Sequence, residues 1–156
     1  MKGSGKDENK RAPMYWSENA DAKGMCHGPL DMDGVKMKYG SYETQKTDGN
    51  SIYQFVKETI KLRNSYPGIA RGEVTFEESL SDENVCAIRK TYDDSEIVIV
   101  YNLSETEQSV DVSSLSLMGK EDAKVEIGGV LLTGDMAAEL EDGSLKLPAY
   151  SVVVLE

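Results

Sequence analysis

The sequence predicts a mainly β protein: an antiparallel β-sandwich preceded by one α-helix and a long irregular N-terminal segment. Three observations predict it. Only one stretch, Asn50 to Ile69, keeps a helical apolar period. After it the period changes to that of short strands separated by turn residues. Before it, residues 1–50 hold recurrent glycine and proline and no sustained period. The expected divisions are an irregular segment over 1–50, a helix and linker over 51–70, and a sandwich domain over 71–156.

Within the helix, Ile52, Phe55, Val56, Ile60 and Leu62 are expected on one face for burial, with Lys57, Glu58 and Lys61 on the other. Ser51 and Gln54 read as a capping box, the hydroxyl serving an orphan amide and the glutamine reaching back. Tyr66-Pro67-Gly68 ends the helix, because proline disfavours helical geometry before it.

The strands follow in order. Glu73–Glu77 alternates, with Val74 and Phe76 on one face. Val85–Tyr92 places Cys86, Ile88 and Tyr92 on one side. Asp93-Asp94-Ser95 is a hairpin turn. Ile97–Tyr101 is unbroken and β-branched, as a strand covered on both faces would be. Val110 and Val112 point inward from the next strand, and Ser113–Asp122 reads as a polar loop. Lys124–Thr133 bends near Gly128-Gly129. Met136–Leu140 forms a short strand, Glu141-Asp142-Gly143 turns, Leu145 and Leu147 lead to Pro148, and Tyr150–Leu155 closes the chain.

A hydrophobic content of 39% over 156 residues supports a folded core. The net charge of -11 is uneven. Residues 1–50 hold eight basic and eight acidic side chains, while 51–156 hold nine and twenty. An acidic rear half argues against nucleic acid and anionic membranes as partners. No apolar run is long enough to span a bilayer. Residues 1–5 carry no apolar stretch of a secretory leader, which leaves localisation open for a piece of a longer protein. Cys26 and Cys86, in different halves, are expected as free thiols.

Site chemistry is sparse. His27 is the only histidine, with no evident orienting partner beside Cys26. Cys26, His27 and Cys86 lack zinc-finger spacing. Asp31-Met32-Asp33-Gly34 lacks the later ligands of a calcium loop, and Gly3-Ser4-Gly5-Lys6 lacks phosphate-loop spacing. Acidic pairs such as Glu77-Glu78, Asp82-Glu83, Glu121-Asp122 and Asp93-Asp94 sit where water keeps both ionised, which suits a solvated surface and not a hydrolytic pair. Phe76, Tyr92, Tyr101 and Tyr150 are expected to pack in the sandwich. No catalytic residue, metal ligand or cofactor is expected within the chain. Residues 1–50 stay open between a tail without its context and an active-site loop of a larger enzyme.

Asp7 or Glu8, Arg11, Pro13, Met14 and Trp16 resemble a segment after the seventh or eighth barrel strand in glycoside hydrolase family 13, the α-amylase superfamily. Phe55, Ile60, Leu62, Arg63 and Pro67 match the pattern of that family's last barrel helix. The β half, down to Leu147-Pro148-Ala149-Tyr150 and Ser151–Leu155, is similar to its C-terminal domain. The resemblance implies a carboxy-terminal fragment of a retaining α-glucan hydrolase, with the catalytic carboxylates upstream. Arg11 and Trp16 become the candidate substrate-binding residues, although both serve equally as loop braces. The α-glucan would reach the chain through the parent's barrel, and calcium is left open for that parent. The parent is expected outside the cell or at its surface, with a cytoplasmic one not set aside. The fragment alone is expected to be inactive, and its bared apolar surface points to self-association. A stand-alone carbohydrate- or protein-binding sandwich is the alternative.

Overall fold

A computed structural model describes residues 13–26, 38–118 and 124–156. The chain divides into two units, Met1–Gln54 and Phe55–Glu156, and the division falls inside the long helix. His27, the Asp31–Gly34 stretch, the Gly3–Lys6 stretch and Glu121-Asp122 lie outside the described residues.

In the front unit, residues 42–47 form a short helix, α1 (Tyr42–Thr47), where the sequence predicts irregular chain. Six residues are too few to display a period. Its start is set instead by Ser41, whose side chain accepts from the Thr44 amide. The long helix α2 (Ile52–Ser65) then begins at Ser51. Half of the expected capping box is present: the Gln54 amide donates to Ser51 Oγ at 3.2 Å. The Gln54 side chain does not reach back but donates to the Lys46 carbonyl at 2.7 Å. Pro67 opens a further short helix, α3 (Pro67–Arg71), at a position where proline's missing amide costs nothing.

The rear unit holds eight described strands in two antiparallel sheets. These are β1 (Glu73–Phe76), β2 (Val85–Tyr92), β3 (Ser95–Asn102), β4 (Gln108–Asp111), β5 (Ile127–Leu131), β6 (Glu139–Glu141), β7 (Ser144–Leu147) and β8 (Val152–Leu155). One sheet runs β1-β2-β3-β8-β5 and the other β4-β7-β6. Both tight turns lie where the sequence places them. Asp93 (φ 51°) and Asp142-Gly143 (φ 47° and 81°) take left-handed conformations that suit the strand twist of hairpins.

Strand β3 lies at the centre of the larger sheet, as its unbroken apolar run predicts. Val98 and Val100 face inward against Val85, Val110, Leu145, Leu147, Val153 and Leu155, all buried. Ile97 and Ile99 face the other way and, with Val154, meet Leu62, Tyr66 and Ile69 of the helical segment. The rear unit therefore stacks helix, five-stranded sheet and three-stranded sheet. Full burial of each such aliphatic side chain contributes about 1.5–3 kcal/mol.

Asn102, 2% exposed, joins the strand layers chemically. Its Nδ2 donates to the carbonyls of Thr106, Leu147 and Pro148 at 2.8–3.0 Å, and its Oδ1 accepts from the Ser104 amide. Gly128 and Gly129 occupy the predicted bend, where the β5–β8 register shifts. The cause is close approach of the helix. A Cβ on Gly129 would collide with Leu62, and one on Gly128 with the Tyr66 hydroxyl and the Glu156 side chain.

Three expectations about surface and core are corrected. Ile52, Phe55, Val56 and Ile60 are exposed on α2, and only Leu62 of the predicted stripe packs on the sheet. The sheet reads a face turned toward Leu62, Tyr66 and Ile69, leaving the earlier residues without a covering layer. Phe76 and Tyr150 are about half exposed, because Phe76 lies on the edge strand and Tyr150 in the turn before β8. Glu77 is no solvated acid: it is half-buried and pairs with Nε of Arg89 at 2.5 Å.

Candidate functional site

The candidate site lies in the front unit, around Trp16. Residues 13–17 run as irregular chain beside α1, with the Trp16 amide donating to the Met14 carbonyl at 3.1 Å. A helix cannot satisfy its own first amides. Here the Tyr42 amide donates to the Tyr15 carbonyl at 2.8 Å, and the Glu43 amide to the Trp16 carbonyl at 3.1 Å. The irregular segment thus supplies acceptors that the helix needs, and the helix holds the backbone of Trp16.

Aromatic edges extend that support. The rings of Trp16 and Tyr42 meet edge-to-face at 5.5 Å between centroids, and Tyr42 meets Tyr53 the same way at 5.1 Å. Trp16 nevertheless stays 46% exposed, so much of the indole remains free to stack on a flat, C–H-rich ligand face. Met14 and Tyr39 are also exposed in this unit. Arg11, the other candidate from the sequence, lies outside the described residues.

Glu18 completes the cluster and carries no motif signal. Its Oε1 accepts from the Ser41 amide at 2.9 Å and the Thr44 hydroxyl at 3.2 Å, while the Tyr15 hydroxyl donates to Oε2 at 2.5 Å. The Tyr15 hydroxyl, and after it the Ser41 amide, hold the Glu18 carboxyl below the usual carboxylate range. The same bond raises the Tyr15 phenol. Hydrogen bonding to the ionised form explains both directions. Twenty-three residues separate Glu18 from Ser41, so spacing could not have paired them.

This arrangement can position an aromatic platform. Among the described residues no group of three or more His, Cys, Asp or Glu side chains is placed to hold a metal ion. Cys26 is exposed, Cys86 half-buried, and both are free. Among the described residues no helix is long and apolar enough to cross a membrane.

A family model described as the α-amylase SusG C-terminal domain matches residues 85–154, from the start of β2 into β8. Among solved structures, Eubacterium rectale Amy13B is 44% identical with a TM-score of 0.86, over 99% of this chain and 29% of that one. The chain belongs to the α-amylase superfamily, glycoside hydrolase family 13. Two curated relatives agree with this placement. Alpha-amylase 3 of Dictyoglomus thermophilum is 22% identical over 136 residues, 85% of this chain and 27% of that protein. A probable oligo-1,6-glucosidase 3 of Bacillus subtilis is 32% identical over 100 residues, 64% of this chain and 18% of that protein. The α-amylase from H. orenii, 18% identical with a TM-score of 0.68, shares the fold. The chain corresponds to the C-terminal region of amylase-type enzymes and spans about a quarter or less of the curated relatives it matches.

Proposed function

We propose that this amylase-type region belongs to a retaining hydrolase of starch or related α-glucans, and that its sandwich braces the last helix of the catalytic barrel. The observation that carries the reading is the two-faced helix α2. Leu62, followed by Tyr66 just past the helix end, packs on the five-stranded sheet, while Phe55, Val56 and Ile60 stay exposed. An exposed apolar stripe of this kind marks a contact surface. Val74 and Phe76, 62% and 54% exposed, extend apolar surface on the same side of the sheet, because their partners Lys90 and Ile88 share the face of the helix seat.

In this reading the chain supplies no nucleophile and no acid. Retaining hydrolysis needs two carboxylates about 5 Å apart across the scissile bond, and these belong to the barrel. Trp16 offers its indole to a glucosyl face at the open end of that barrel, where sites of this fold gather, and Arg11, five positions earlier in the sequence, serves as a hydrogen-bond donor. The names of the relatives, an α-amylase and an oligo-1,6-glucosidase, support an α-glucan as substrate.

The test has two arms. The purified chain is expected to release no reducing sugar from soluble starch; turnover by this chain alone would refute the assignment. Ile60→Asp is expected to shift the stability of the isolated chain by less than about 0.5 kcal/mol, as exposed positions do. In a polypeptide that carries the barrel as well, the same change is expected to lower the melting temperature by several degrees, through a buried unpaired charge. An equal, small effect in both contexts would remove the barrel from the reading.

A further inference from the structure

We propose that Glu18 is the positioning residue that presents Trp16, by pinning the segment that carries it to the start of α1. This rests on the reading of Trp16 as a sugar-stacking side chain. The structural argument, however, stands on the hydrogen bonds alone.

Two independent sets of bonds meet here. The first is backbone: Tyr42 and Glu43, at the first two positions of α1, donate to the carbonyls of Tyr15 and Trp16. These amides have no partner inside the helix, so their protection from solvent depends on the docked segment. The second set belongs to Glu18, which follows Trp16 by two residues. One carboxylate oxygen receives the Ser41 amide and the Thr44 hydroxyl, and the other receives the Tyr15 hydroxyl. Glu18 therefore ties together the residue before Trp16, the cap of α1 and its first turn.

The arrangement suits a platform better than a fold core. The buried residues of the described front unit are Ser17, Ser41 and Ser51, not large apolar side chains. Hydrogen bonds and ring edges must then hold the indole in place. Ser41 itself is fully buried, and its amide would lose its acceptor if Glu18 were truncated. Bonds to an ionised acceptor are the stronger kind, although solvent reduces their net value at an exposed side chain.

The experiment is amide hydrogen exchange on the 156-residue chain, comparing wild type, Glu18→Ala and Glu18→Gln. Glu18→Ala is expected to lower protection at the Tyr42 and Glu43 amides about five-fold, with no change at Val98 to Val100 in the sandwich. Glu18→Gln keeps an oxygen for Ser41 and Thr44 and is expected to restore most of that protection. A general structural role would lower protection in the sandwich too. Equal protection at Tyr42 and Glu43 in wild type and Glu18→Ala, including none in either, overturns the proposal. So does loss spread evenly over the chain.

A separate readout keeps the two ideas apart. Trp16 is the only tryptophan, so indole emission reports this site alone. Maltooligosaccharide is expected to change that emission in the wild type, more weakly in Glu18→Ala, and near wild type in Glu18→Gln. If the exchange result holds while the sugar leaves the wild-type emission untouched, the sugar-stacking reading fails and the positioning role stands.

Discussion

The two faces of strand β3 are built alike and finished differently. Inward, Val98 and Val100 meet a layer of aliphatic side chains from β2, β4, β7 and β8, all of them buried. Outward, Ile97 and Ile99 meet Leu62, Tyr66 and Ile69, which are only partly buried, and exposed apolar residues continue along α2 and β1. The inner face accounts for the stability of the unit. The outer face holds a helix whose remaining surface is available for contact. A fold can thus use one strand as a core element on one side and as a mounting surface on the other.

The largest expected effect comes from breaking the inner face. Leu147, fully buried, is surrounded by both sheets. Leu147→Ala is expected to cost about 3 kcal/mol, from lost transfer energy and the cavity left behind. A shift of the urea midpoint at constant slope would measure it. A change below about 1 kcal/mol would mean that the inner layer collapses around the gap and that the contrast between faces is weaker than drawn.

A smaller effect is expected on the outer face. Gly128→Ala forces a methyl against the Tyr66 hydroxyl and Glu156. Because these are side-chain ends that can give way, overpacking is expected to cost about 1 kcal/mol. Tyr66 already titrates above the usual phenol range, first through burial and then through the nearby Glu156 charge. Spectrophotometric titration of Gly128→Ala is therefore expected to show that phenol moving back toward the ordinary value as the helix seat opens. An unmoved Tyr66 would show that β5 yields instead of the helix.

The subtlest effect sharpens how the sandwich closes at its rim. Arg89 joins Glu77 and Glu96, and it donates to the Ser116 carbonyl, while Glu96 accepts from the Met118 amide at 3.0 Å. Burial pushes the Glu96 carboxyl up, but the Met118 amide, Arg89 and Thr91 outweigh it and hold it below 4.5. A carboxyl lowered on folding adds stability that is complete above its unfolded pKa and is lost as pH falls through the folded value. Stability is thus expected to decline from about pH 4.5 downward. Glu96→Gln is expected to flatten that acid limb while lowering stability at neutral pH. An acid limb identical in both proteins would assign the decline to other carboxylates.

Much of the sandwich was legible in the sequence because it depends on neighbours along the chain. The run Ile97–Tyr101, the turns at Asp93-Asp94 and Asp142-Gly143, and the bend at Gly128-Gly129 follow from period and turn chemistry. The candidate site was legible only in part. Trp16 stood out in a recognisable pattern, but Glu18 and Ser41 did not, since their contact spans irregular chain without a period. Helix α1 escaped for a related reason: it is too short for a pattern, and its first amides are held by the Ser41 side chain and by the distant Tyr15 and Trp16 carbonyls.

By itself the sequence determined where most strands and turns fall along the chain and the two-sided burial of β3, because local apolar spacing and turn residues carry that information. The α-amylase superfamily was reached separately, through the motifs around Arg11–Trp16, Phe55–Pro67 and Leu147–Leu155. Only the tertiary structure decided which face of α2 meets the sheet, that Glu77 is paired with Arg89, and that Glu18 reaches Ser41. Those outcomes depend on which surfaces meet after the chain has folded back, and spacing along the chain does not encode that meeting.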